Sequence, residues 1–393
     1  MQTVHDLSAV VHVHSTLSDG TATVAELLEA ARDSGAGALL LTDHDSLAAR
    51  GEGWAGTHDG VALVVGTEVS PKGGHYLAFG VSGEIPHGGL TAAEIAAAVR
   101  EAGGVGFAAH PFSEGGRMVL PSLARRIVLP HAWPLDQPGS CDGLELWSVT
   151  TDAAESWRTP AAALRWLRDP VAATADGPPA HHLRAWDALS ARRRVPALGG
   201  LDGHAPGVRI GGAVRGPLSH ARTFGLLRTH LLLDRPLSGD PAADEATVVA
   251  ALRAGAMWLA RPVAAPADGA RLWAELDDGR VVPMGGEAAF APNGAAAPDG
   301  AAAPNGAAAP NGAAAPDERA GAGAARPRDD GPRAVLRLRL PRAAELRVVR
   351  DGATVALADG DALDLPLDGP GAYRVEARVG GAMWLLSNPV HLR

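Results

Sequence analysis

The chain divides by pattern before any single residue matters. Over the first 230 or so residues, short apolar runs alternate with stretches of helical periodicity. ALLLT (38–42), VALVVG (61–66), HYLAFG (75–80), GVGFAAH (104–110), GLELWS (143–148) and PALGGLD (196–202) are of strand length and end in glycine or polar turns. TAAEIAAAVREAG (91–103) and HHLRAWDALSARR (181–193) are amphipathic and predict helices. Ala9-Val10-Val11 leads as a buried strand into HVHSTLSDG (12–20). Thr21 or Thr23 then caps a helix through Val24, Leu27, Leu28 and Ala31. Strand-helix alternation of this length predicts an α/β barrel or a layered sheet.

The pattern changes further on. ARLWAELDDGRVVPM (270–284) predicts a hairpin around Asp277-Asp278-Gly279. Residues 286–332 hold PNGAAA and PDGAAA units of period six, each with a proline and a glycine, which blocks helix. They lack the apolar side chains that offset ordering entropy, so a disordered linker is expected. AVLRLRL (334–340), ELRVVRD (345–351), ATVALA (353–358), GAYRVEARV (371–379) and AMWLLSNPVHL (382–392) alternate in the manner of a small antiparallel β domain. The expected organisation is therefore 1–235 catalytic-type α/β domain, 236–285 connection and start of a β-sandwich, 286–332 insertion, and 333–393 remainder of the sandwich. An insertion of this kind in a surface loop costs little closure entropy.

Composition narrows the function classes. The formal net charge is −9, there is a single lysine (Lys72), and no basic stripe suits a nucleic acid. One cysteine, Cys141, excludes an internal disulfide and allows a reducing compartment. The N-terminal MQTVHDLSAVVHVHS has neither a basic nor a long apolar leader region, and no run is long enough to span a membrane. Cytoplasmic localisation, no membrane or nucleic-acid partner and a small-molecule substrate are the expectations.

The candidate chemistry sits at strand ends. On strand alternation, His12 and His14 point the same way, and Asp19 can curl back toward them. TDHD supplies His44, GTE supplies Glu68, the next strand opens on His75, AAHP supplies His110, and GGLDGH supplies Asp202 and His204. Strand C-termini gather at one face of an α/β barrel, so positions nearly two hundred residues apart can converge. Histidine and carboxylate without cysteine suit borderline or hard divalent ions such as Zn, Mn or Fe. Asp43 and Asp45 read as helix caps. His5, His58, His87, His131, His181, His182, His220, His230 and His391 lack strand-end context and read as surface or core. Glu145 and Trp147 read as packing or as support for the ligands.

H-x-H-S-x-x-S-D-G, T-D-H-D, G-T-E, A-H-P and D-x-H together resemble the PHP (polymerase and histidinol phosphatase) superfamily over residues 8–234. FGLLRTHLLLD (224–234), ALRAGAMWLA (251–260), PMGGE (283–287), RVVRDGATVA (347–356), GAYRVEA (371–377) and WLLSNPVHLR (384–393) look like its carbaryl-hydrolase-like branch. The resemblance implies a distorted (β/α)7 barrel followed by a β-sandwich, with two or three divalent ions. It implies one ion on His12, His14, Glu68 and Asp202, and a second on Glu68, His75 and His110. Asp19, His44 and His204 would hold a third or act catalytically on the leaving group. A water acidified by the ions would attack phosphorus or a carbonyl carbon. A phosphate would also need an arginine fork, for which Arg117 and Arg209 lie in suitable loops. A phosphoesterase, an amide, ester or carbamate hydrolase, and a non-catalytic binding protein are the three functions compatible with this.

Overall fold

A computed structural model describes residues 4–116, 130–205, 218–290 and 334–393, and the backbone alone at 117, 126–128, 208–210 and 213–215. The repeat segment expected to be a linker lies outside the described residues from 291 onward. Among the described residues no helix is long and apolar enough to cross a membrane.

The N-terminal part runs β1 (His5–Val13), α1 (Val24–Asp33), β2 (Ala38–Leu41), β3 (Val61–Val65), β4 (Thr67–Val69), β5 (His75–Phe79), α2 (Ala92–Glu101) and β6 (Val105–Ala109). It continues through β7 (Gly143–Ser148), α3 (Val149–Ser156), α4 (Ala180–Ser190), β8 (Ala197–Gly200), β9 (Arg228–Leu233) and α5 (Pro241–Ala254). Thr23 caps α1 in a reciprocal box with Glu26, and Thr91 does the same for α2 with Glu94. Gly255, in the left-handed region at φ 64°, ends α5.

These strands are mixed in direction. β9-β1-β2-β3 belongs to one sheet and β8-β7-β6-β5-β4 to a second. β1, β2 and β3 are parallel, as are β6, β7 and β8, whereas β5 is antiparallel to both neighbours and β9 to β1. The two sheets touch through backbone at two places. Leu201 N donates to Val11 O at 3.0 Å and His14 N to Gly203 O at 3.1 Å, while Glu68 N donates to Asp43 O at 3.2 Å and Asp45 N to Glu68 O at 3.0 Å. Both seams run through candidate ligands. β8 has no full ladder partner on its β9 side, and side chains stand in. Thr229 Oγ1 accepts from Gly199 N and donates to Gly199 O, and Asn388 amide groups bond both Ala197 N and Ala197 O.

The C-terminal part is antiparallel: β10 (Met257–Ala260), β11 (Arg271–Leu276), β12 (Ala334–Arg350), β13 (Ala353–Leu367), β14 (Gly371–Val379), β15 (Ala382–Ser387) and β16 (Val390–Leu392). The hairpin expected at 270–284 forms, with β11 paired to Val281–Pro283. Residues 334–350, which read as two strands in sequence, form one. β12 pairs with β11 over its first half and with β14 over its second, shifting register between Arg339 and Ala344. Glu287–Ala288 pairs with β16 and Phe290 is buried, so the ordered sheet extends into the start of the 286–332 segment. β9, β10 and β15 are successive neighbours, so one sheet runs from the N-terminal part into the C-terminal part. A buried charge cluster adds to the joint. Arg374 donates to both oxygens of Asp187 on α4 at 2.6 and 2.8 Å, and to Glu376 at 2.7 Å.

Candidate metal centre

All nine predicted ligands meet at one end of the N-terminal strands. Glu68 is the centre of the group. Its Oε2 lies 3.3 Å from His12 Nε2, 3.2 Å from His14 Nε2 and 3.2 Å from His44 Nδ1. Its Oε1 lies 3.0 Å from His75 Nδ1 and 3.1 Å from His110 Nε2. Asp202 Oδ1 is 3.3 Å from His204 Nδ1, 3.5 Å from His12 and 3.6 Å from His14. Asp19 Oδ1 is 3.1 Å from His204 Nε2 and 3.6 Å from His44 Nε2.

Depth grades the group. His12, His14 and Glu68 are fully buried, His110 nearly so, Asp202 and His75 are partly buried, and Asp19 is 57 % exposed. The floor is thus His12, His14 and Glu68, and the mouth is Asp19, His44 and His204. Donor atoms close enough to share an ion fall into three sets: His12, Glu68, His110 and Asp202; His14, Asp19, His44 and His204; and His44, Glu68 and His75. This partition differs from the one the resemblance implies. His14 falls with the mouth residues, because its ring stacks on those of His204 and His44 at 4.0 and 4.4 Å.

The backbone is bent to make this possible. His12 (φ 63°), His110 (φ 29°) and Asp202 (φ 51°) all occupy the left-handed region, which costs a non-glycine residue about 1–3 kcal/mol. Strand alternation alone therefore does not aim His12. It sits in a bulge where the β1–β2 register shifts between Val11 and Val13. Gly200 completes the arrangement: a Cβ there would fall 2.0 Å from Glu145 Oε1 and 2.8 Å from His12 Cβ.

Supporting side chains fix the ligands. Glu145 Oε1 accepts from His12 Nδ1 at 2.9 Å, which leaves His12 Nε2 free toward Glu68, and Glu145 Oε2 accepts from His110 N at 2.7 Å. Thr151 Oγ1 donates to Asp202 Oδ2. The expectation that Asp43 and Asp45 cap a helix is not met. Asp43 is buried and accepts from Ser15 N, Ser15 Oγ and Ser18 Oγ at 2.6–2.7 Å, pinning the loop that carries Asp19. Asp45 accepts from Ser70 N at 3.0 Å, and the short helix that follows has no side-chain cap.

The site's electrostatics call for positive charge. Burial opposes ionisation of Glu68 and Asp202, yet the facing histidines hold both well below the usual carboxylate range. Burial likewise opposes protonation of His12, but Glu145 and Glu68 raise it well above an ordinary histidine. His204 is raised to about 9 and Asp19 lowered to about 2, in each case by their mutual pairing and their neighbours against the effect of burial. Burial, against the pull of Glu68, lowers His44. His12 Nε2, His14 Nδ1 and Nε2, His110 Nδ1 and Glu68 Oε2 are buried with no hydrogen-bond partner. Orphaned nitrogens around a central carboxylate are what a cation would satisfy, so the donor set fits divalent metal.

Two predicted residues escape this description. Arg117 and Arg209 lie on the short strands Gly116–Arg117 and Val208–Ile210, and their side chains fall outside the described residues. Among the described residues, no arginine or lysine makes an ion pair with any of the nine. One residue was missed by sequence reasoning. His131 is half-buried with its ring 4.2 Å from that of His75. Burial, with His75 and His110 beside it, lowers its pKa to about 4. It lies three positions beyond the short strand Arg126–Val128 and outside any ligand motif, so no sequence signal marks it.

No protein-family model matches this sequence, and no curated protein matches it. Solved structures similar to the chain include PsfC from Pseudomonas syringae PB-5123, at 17 % identity over 61 % of this chain and 87 % of that one, with a TM-score of 0.39. Another is a two-domain protein from Bacteroides vulgatus ATCC 8482 containing a predicted PHP-like metal-dependent phosphoesterase, at 13 % identity over 98 % of this chain and 95 % of that one, with a TM-score of 0.38. These likenesses are too loose to transfer a role to any residue here.

Proposed function

We propose that the protein is a metal-dependent phosphoesterase acting on a small phosphorylated substrate at a centre of two or three divalent ions. The observation that carries this is Glu68: one fully buried carboxylate with five imidazole nitrogens within 3.3 Å. Such a carboxylate is built to bridge. The seams at Gly203 and Glu68 are where the two sheets would close into a distorted barrel, with the ligands on its rim.

Bound ions would supply Lewis acidity, acidifying a water and neutralising the substrate's oxygens. His12, Glu68, His110 and Asp202, with His75, would hold them at the floor, and His14 links the floor to the mouth set. Glu145 keeps His12 in one tautomer, and Thr151 keeps Asp202 from turning away. The mouth residues face solvent and would meet the leaving group. His204, between Asp202 and Asp19, and His44, beside Asp19, are the imidazoles placed to exchange a proton with the leaving group. If a third ion is bound, Asp19, His44 and His204 hold it instead.

A second reading keeps the centre and changes the substrate to an ester, amide or carbamate. The donor set suits the ions and leaves the substrate open, so the same centre would serve either class. The deciding experiment purifies wild type and His14→Ala together, counts bound Mn, Fe and Zn, and assays p-nitrophenyl phosphate against p-nitrophenyl acetate. Two or three ions with phosphate cleavage that the variant loses is the expected result. Cleavage of acetate alone selects the second reading. A metal-free, inactive wild type, even with added Mn, makes it a binding protein.

A further inference from the structure

The residue at the site that no ligand set absorbs is His131. Its ring lies 4.2 Å from His75 and 5.9 Å from His110, so it stands beside two candidate ligands. It belongs to none of the three ion-sharing sets. Its Nδ1 is buried and has no hydrogen-bond partner among the described residues. Native proteins keep few buried polar groups unpaired without cause.

The position of His131 is fixed by its surroundings. Trp133 N donates to Pro111 O at 3.1 Å, directly beyond His110. The Trp133 ring stacks on Tyr76, directly beyond His75, at 5.0 Å, and its Nε1 donates to Ser140 O at 3.0 Å. The chain presses onto Gly74, where a Cβ would fall 2.8 Å from Ala132 O and 3.1 Å from the Trp133 ring. Only glycine lets the segment sit this close. The segment 131–133 is therefore fastened to the residues flanking both ligands, and it holds an imidazole with an unused nitrogen at their side.

We propose that His131 is a substrate-contact residue that hydrogen-bonds an oxygen of the bound substrate beside His75 and His110. This rests on the phosphoesterase reading above. Among the described residues Nδ1 has no partner, and the imidazole stands beside two candidate ligands, where a substrate oxygen would be held. The chemical class that fits is an oxyanion, with phosphoryl or carboxyl-type oxygens presented to the floor ions and to His131 together.

The test compares wild type, His131→Ala and His131→Gln in metal-loaded form. Metals per chain are counted, and KM and kcat are measured on p-nitrophenyl phosphate. Expected are an unchanged metal count, a KM raised about tenfold in His131→Ala with a smaller loss in kcat, and partial recovery in His131→Gln, whose amide can restore one hydrogen bond. Loss of an ion in His131→Ala would make the residue a ligand and overturn the proposal, as would unchanged kinetics. If wild type cleaves no phosphoester, the phosphoesterase reading falls by itself. The contact is then read from the imidazole NMR signals of metal-loaded wild type titrated with inorganic phosphate. A shift assigned to His131, by its disappearance in His131→Ala, supports the contact, and none refutes it.

Discussion

Two buried polar clusters, one in the joint between the N- and C-terminal parts and one at the end of the N-terminal strands, differ in one respect. Around Arg374 every charge is spent: its guanidinium bonds Asp187 twice and Glu376 once, with the Trp186 ring 5.6 Å beneath. Around Glu68, imidazole nitrogens are left without partners, and three of the ligands are held in left-handed backbone. Saturation is what a fold needs of a buried charge, since an isolated one is costly. Deficit with strain is tolerated where something else completes the set. The contrast separates a structural cluster from a functional one without reference to any relative.

The comparison can be broken in order of effect. Glu68→Ala is expected to remove bound metal and lower hydrolysis by at least about a thousandfold, because every ion set but the outermost loses its centre. Metal retention measured on purified variant would sink the idea if it matched wild type. Arg374→Ala should do the reverse. It strands Asp187 and Glu376, costing about 3–5 kcal/mol in urea denaturation, while metals per folded chain stay constant. A variant that lost metal but kept its stability would invert the assignment of the two clusters.

Two smaller effects sharpen it. Glu145→Gln keeps a hydrogen-bonding side chain but removes the charge on His12, and should weaken metal affinity about 10- to 100-fold in competition with a chelator. The last is a pH effect on the metal-free protein. His204 is raised to about 9 from 6.5, so its pairing contributes stability that is complete below pH 6.5 and lost as pH rises through 9. Asp19, lowered to about 2 from 3.8, contributes stability present above pH 3.8 and lost as pH falls through 2. Urea midpoints of the metal-free protein should therefore fall between pH 6.5 and 9, and metal should flatten that fall. Parallel curves with and without metal would show that His204 does not respond to it.

Much of this was legible in sequence because it is local. Apolar runs gave β2, β3, β6, β7 and β8, and ligand-type residues at their ends gave the nine positions that converge. The failures were all matters of tertiary context. Asp43 has the sequence setting of a cap, and only the return of residues 15–18 beneath it shows its real partners. Strand alternation predicts the aim of His12, whereas a bulge sets it. His131 reaches the site from irregular chain, for which no periodicity exists. Residues 334–350 read as two strands because Pro341-Arg342 suggests a turn, but the strand only shifts register there.

The shared sheet has a further consequence for modularity. β9 is paired on one side by β1 and on the other by β10, which in turn carries β15. A chain cut after residue 235 would not be a smaller version of the molecule. It would expose the naked edge of β9, an apolar strand of the kind that recruits other chains, and would strip Asn388 from Ala197 at the start of the strand leading to Asp202. Recombining this N-terminal part with a different C-terminal partner therefore means supplying a new edge strand and a new side chain at that seam, so the division visible in sequence is not a line along which the molecule can be reassembled.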